Sequence, residues 1–183
     1  MVGARDSVQA EVHLIGQLLG GSGFPSTQLF CRWNIHTGGA WHHLEGLKEG
    51  QTQVDNPLLG DTAIWAHPID VHYTVKGITG WPKLVVQVYS LDSFGRTDLC
   101  GYGFCNLPAT PGAHRIDCVT WRPTGSLRDE FRQQFVGGGP QLRSPELVYT
   151  PLDRYRLQTV AMGTVHVQMN VILRNFEQYG IEY

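Results

Sequence analysis

The sequence predicts an all-β protein: two antiparallel sheets packed face to face as a sandwich, with one short helix inserted before the last strands. Three observations predict it. Apolar residues recur with a period of two in several short runs, and those runs are bounded by Gly- and Pro-bearing segments. The 183 residues include 22 Gly and 10 Pro, with only 16% charged residues, a composition that suits a turn-rich globular chain rather than a disordered one. No internal repeat or low-complexity linker divides the chain. A single domain over residues 8–183 is expected, with residues 1–7 as a short N-terminal extension.

The elements follow in order. Val8, Ala10, Val12 and Leu14 alternate with Gln9, Glu11 and His13, the pattern of a strand with one face in a core. The runs Leu29 to His36, His67 to Val75 and Lys83 to Leu91 read the same way, separated by segments such as "GITGWP". Gly101 to Leu107 and His114 to Trp121 flank "PATPG" and are expected to form a hairpin turning at Pro111 and Gly112. In "SLRDEFRQQFVGGG", Leu127, Phe131 and Phe135 recur every four residues, with Ser126 placed to cap a helix and Gly137 to stop it. Val165, Val167, Met169, Val171 and Leu173 then alternate with polar residues and give the closing strand.

Charge and motif content exclude several functions. The formal net charge is −2, with eleven Arg and three Lys scattered along the chain, so no basic field exists to hold nucleic acid. The start "MVGARDSVQAEV" lacks the apolar core of a signal peptide, and a cytoplasmic protein is expected. There is no G-x-S-x-G elbow, no phosphate loop and no H-E-x-x-H; "VGGGPQ" lacks the lysine a phosphate cradle needs. The chain is therefore expected not to be an enzyme and to need no cofactor. Cys31, Cys100, Cys105 and Cys118 read as buried reduced thiols. Cys100, Cys105, His114 and Cys118 also have zinc-like spacing, but on a strand Cys100 and Cys105 would face opposite ways. The histidines, including His42, His43, His67 and His72, read as surface residues.

Residues 90 to 104, "SLDSFGRTDLCGYGF", resemble the second calcium loop of a C-two (C2) domain, a β-sandwich family that gathers five loop aspartates. The corresponding positions here are Ser90, Asp92 and Asp98, so one carboxylate is already missing. The matching earlier loop, Gly20 to Gln28, holds no acidic residue. Calcium takes six to eight oxygens with several carboxylates among them. Asp92 and Asp98 are accordingly expected to be a degenerate remnant, with no metal bound.

A wider set of segments carries a second resemblance. "EVHLIGQLLGGSGF", "LFCRWNIHTGGAW", "GWPKLVVQVYSLDSFGR", "GYGFCNLP", "PGAHRIDCVTWRP", "FVGGGPQL", "DRYRL" and "LRNFEQYG", in this order, are similar to the B-nine (B9) domain family from about Glu11 to the end. The resemblance implies a C2-like sandwich without catalytic activity. It implies a scaffold subunit of the Meckel-syndrome or tectonic-like complex at the ciliary transition zone and basal body, serving cilium assembly and the diffusion barrier to membrane proteins. The implied partners are two other B9 paralogues, which the chain would bridge, and further subunits of that complex. The alternative is a calcium-independent, C2-like module that binds membrane lipid. A bridging sandwich needs exposed anchors. Trp41 in "TGGAWHHLEG" and Phe94 at a loop tip are the candidates, with Phe24 and Phe94 as tips for membrane contact.

Overall fold

The computed structural model describes residues 9–124, 142, 145–149 and 158–180. Nine strands are assigned among them: β1 (Ala10–Ser22), β2 (Leu29–His36), β3 (Trp41–Gly46), β4 (Glu49–Gln51), β5 (Ala63–Val75), β6 (Lys83–Leu91), β7 (Thr97–Asn106), β8 (Gly112–Pro123) and β9 (Thr159–Arg174). Every pairing is antiparallel, in the order β3-β5-β1-β9-β8-β7-β6-β2-β4. The described residues contain 3-10 turns at Pro145–Val148 and Phe176–Tyr179 and no α-helix. The helix expected at Ser126 to Val136 lies outside the described residues.

The continuous ladder curls into two facing layers, as a C2-like β-sandwich does. Its seam is the β7–β8 pair, where only Tyr102↔Trp121 and Gly103↔Thr120 are matched. The expected hairpin therefore exists only at its open end. Toward Pro111 and Gly112 the two strands splay, β7 staying with β6 and β8 with β9. Across the interior the Trp65 indole N–H of β5 donates to the Leu29 carbonyl of β2 at 3.1 Å, and the Trp33 and His67 rings meet edge to face. The core between the layers takes alternate residues of each strand, such as Val12, Leu14, Val71, Tyr73, Val86, Val88, Val167 and Met169. Burial pushes the Tyr73 hydroxyl up to about 12.

Two bulges aim side chains that strict alternation would misplace. On β5 the chain inserts a residue opposite Leu19, with Ala66 in the left-handed region at φ 46°. This turns Trp65 inward over Leu29. On β7, Val88 pairs with Gly101 and Tyr89 with Leu99, leaving Cys100 as the extra residue. The expectation that Cys100 and Cys105 face opposite ways is thereby overturned, because the extra residue shifts the parity and both thiols pack against the main core. The Cys118 thiol hydrogen-bonds that of Cys105 beside Cys31, and this contact together with burial pushes it up. His114 instead contacts the Thr110 carbonyl at 2.9 Å. Among the described residues no three His, Cys, Asp or Glu side chains converge on a metal-sized point.

Candidate interaction surfaces

One end of the sandwich is made of three loops. The first precedes Leu29 and the second follows Leu91, and these strand ends are neighbours because Leu29 pairs with Ser90 and the Leu91 N–H donates to the Gln28 carbonyl. The third, between β4 and β5, is tied to them by the Leu29↔Asp55 bridge and by Asp55, which accepts from the Ile64 N–H at 2.7 Å.

Asp92 is spent inside its own loop. Its Oδ1 accepts from the Phe94 N–H at 2.9 Å and the Arg96 N–H at 2.7 Å, while its Oδ2 accepts from Arg96 Nε at 2.6 Å. The Arg96 backbone N–H, then the Arg96 side chain and the Phe94 N–H, hold the carboxyl below the usual carboxylate range. An arginine thus stands where a cation would be. Ser90 and Asp98 are cross-strand partners, with the serine hydroxyl turned to the Asp98 carbonyl. The guanidinium of Arg96 lies 5.5 Å from the Phe94 ring centroid, and Phe94 is 85% exposed.

The other two expected anchors are core residues. Trp41 is 6% exposed; its ring meets Trp81 edge-on at 5.0 Å and its N–H donates to the Thr79 carbonyl at 3.1 Å. Trp81 continues to Phe176, so these rings plug the end opposite the three loops. Phe24 is 7% exposed, and its ring fills the space that side chains at Gly21 and Gly163 would occupy. Both therefore lack the exposure that an anchor needs: Phe24 fills room left by facing glycines, and Trp41 packs against Trp81 and Tyr73.

The structure exposes apolar residues that sequence reasoning missed. Leu58 and Leu59, between Pro57 and Gly60, are 97% and 93% exposed at the loop end. The signal was an apolar pair set inside a turn-forming stretch, where no core strand follows. On the flank, β3 and β4 bring the two sheet edges together: Gly46 pairs with Val71, and two residues later the Lys48 carbonyl accepts from the Ile35 N–H at 2.7 Å. Leu44 and Leu47 are exposed there, beside a groove of about 450 Å³ lined by Trp33, Leu47, His67 and Pro68. Burial lowers the pKa of His67. The edges themselves are poor templates for strand addition: β4 is three residues long and β3 carries a bulge at Leu44.

One polar constellation has the bond pattern of a catalytic triad. His166 lies 2.7 Å from Asp117 through Nδ1 and 2.8 Å from the Ser22 hydroxyl through Nε2. Its setting is that of a sheet surface. The Asp117 side chain is 73% exposed and solvated, and Ser22 sits in a paired strand opposite Thr164. His13–Asp70 and His72–Glu11 are similar pairs on the same outer face.

Residues 12–172 match the family model described as "Ciliary basal body-associated, B9 protein". B9 domain-containing protein 2 of Danio rerio is 61% identical over 173 residues, covering 94% of this chain and 99% of that protein. The Homo sapiens protein of the same name is 57% identical with the same coverage. B9 domain-containing protein 1 of Xenopus laevis is 30% identical over 155 residues, covering 83% of this chain and 78% of its own. A solved C2 domain of plant extended synaptotagmin 1 overlays loosely, with a TM-score of 0.42 at 11% identity, over 88% of this chain and 93% of that one. With a family model spanning most of its length and full-length relatives well above half identical, the chain belongs to the B9 domain family of ciliary proteins.

Proposed function

We propose that this B9 protein is a non-enzymatic scaffold subunit of a tectonic-like complex at the ciliary transition zone, where it bridges two B9 paralogues and serves cilium assembly and the membrane-protein diffusion barrier. The observation that carries the reading is the flank, where the sheet edges meet. Leu44 and Leu47 stand exposed there beside the groove over Trp33, and blunted edges favour side-chain packing over strand addition. The existence of a type 1 relative at 30% identity supplies a partner class with a related sequence. Contact with further subunits of the complex, and a cytoplasmic location at the basal body, belong to the same reading.

The test is co-purification with each paralogue separately and together, at low and physiological salt. A packed apolar interface is expected to resist salt, and placing charge on the flank with Leu44→Glu and Leu47→Glu should release at least one paralogue. Retention of both paralogues by the double variant would remove the flank from the interface. Failure of the wild-type chain to retain either would refute the scaffold.

A further inference from the structure

We infer that Cys105 and Cys118 form an oxidative modification site, a dithiol at the seam between the two layers that a hydroperoxide converts to a disulfide joining β7 to β8. The register places them. The last matched pair of the seam is Gly103↔Thr120, and two residues onward along β7 and two back along β8 bring Cys105 opposite Cys118. Gly103 makes the approach possible. A Cβ there would lie 3.1 Å from the Cys118 Sγ, so the missing side chain leaves that sulfur room beneath β7, on the face from which Cys105 projects. The two thiols are in hydrogen-bond contact. Cys105 is half-buried, whereas Cys118 is 1% exposed.

The chemistry divides between the two sulfurs. Contact with Cys105 and burial push the Cys118 thiol up, so Cys118 keeps its proton and the oxidant meets Cys105, the residue that solvent reaches. Hydrogen peroxide transfers one oxygen to the Cys105 thiol, giving a sulfenic acid and water. The Cys118 sulfur then attacks the Cys105 sulfur; the S–O bond breaks, and the hydroxyl leaves with the Cys118 proton as a second water. Overall the two thiols give up two electrons and two protons, and the peroxide is reduced. Opposed Cβ atoms of an antiparallel pair stand about 4.5–5.5 Å apart and a disulfide takes about 3.8 Å, so closure draws the strands together by about 1 Å. Beyond Gly103↔Thr120 no ladder pair between β7 and β8 resists that shift. The bridge encloses the short stretch 106–117 and fixes the two layers to each other where the ladder is thinnest.

The inference stands apart from the scaffold reading, because neither a flank residue nor a partner enters it. The reduced full chain is treated in native buffer with hydrogen peroxide, quenched, alkylated in urea and mapped by mass spectrometry. A peptide linking Cys105 to Cys118 is expected, with the melting midpoint raised by about 6–12 °C and returned by dithiothreitol. Cys105→Ser should abolish both the link and the shift, while Cys31→Ser, at the neighbouring buried sulfur, should keep them. A link through Cys31, oxidation that stops at a single sulfur, or a disulfide that forms only in urea would overturn the inference. Should Cys105→Ser fail to fold, the mapped link and the dithiothreitol reversal in the wild-type chain decide alone.

Discussion

Replacing Trp41 by alanine separates the two roles open to an aromatic residue in a Gly-rich connection. In the structure the ring lies edge-on to Trp81 at 5.0 Å and to Tyr73 at 6.1 Å, and its N–H satisfies the Thr79 carbonyl. Truncating a buried aromatic costs about 3–5 kcal/mol through lost transfer energy and the residual cavity. Each aromatic pair adds about 0.5–1.5 kcal/mol beyond its area, and the orphaned carbonyl about 1 kcal/mol. The upper end, about 5 kcal/mol, is therefore expected. At about 2–4 °C per kcal/mol for a chain of this size, the melting midpoint should fall by about 10–20 °C. Trp41→Phe keeps a ring and loses the donor, so it should cost about 1–2 kcal/mol. Thermal and urea unfolding report both, and paralogue binding is measured below the variants' transitions. An alanine variant that melts like wild type but no longer binds would refute the assignment of Trp41 to the core.

Ala66→Gly should raise stability by about 1 kcal/mol, because alanine sits at φ 46° in the β5 bulge where glycine is unstrained; a lower urea midpoint would mean that the bulge is not under strain. Burial pushes the Cys31 thiol up to about 12, and only the thiolate is alkylated, so Cys31 should resist iodoacetamide at mildly alkaline pH until the chain unfolds; native-state labelling read by mass spectrometry would contradict this. Asp92 should titrate, by NMR, below the ordinary aspartate value of about 3.9. Its folded pKa is depressed, so its bonds stabilise the loop above that value and are lost as pH falls through the lower folded one; a midpoint at or above it would break the argument. Calorimetric titration should show no stoichiometric calcium binding in the sub-millimolar range, since Asp92 is already paired with Arg96, and tight binding would overturn that account.

Strands that read as short apolar-rich runs between clear breakers were legible in the sequence to the residue: β2 and β6 begin and end where the runs Leu29–His36 and Lys83–Leu91 do. Strand β1 runs on through Gly16 to Ser22, taking in Gly20 and Gly21, which were expected in the loop Gly20 to Gln28. At Gly16 and Gly20 a Cβ would collide with the carbonyls of Gln168 and Ala63 on the neighbouring strands, so these glycines belong to the ladder rather than to a turn. Strand β3 was missed because it buries Trp41 alone and exposes the rest, so it shows no periodicity. The parity error at Cys100 has a similar origin, since a bulge is an event between strands and leaves no mark in one of them. Of the candidate surface, Phe94 was visible because it sits between Asp92 and Gly95 at an evident tip. Trp41 and Phe24 were misjudged because their burial depends on residues such as Trp81 and Gly163, far away in the chain.

The position of β9 has a consequence for how the protein is made. The last of the nine strands to be synthesised stands between β1 and β8, one strand in from the seam of its layer, and covers one long side of each. Until residues 159–174 leave the ribosome, strands completed much earlier carry open backbone edges, the kind of surface that pairs wrongly and recruits chaperones. Folding of the domain is thus committed when β9 emerges rather than strand by strand. A message terminated before Thr159 yields a chain in which β1 and β8 each keep a raw edge and β8 has no neighbour within its layer. Such a product should go to degradation and should not persist as a shortened subunit with part of its surface intact.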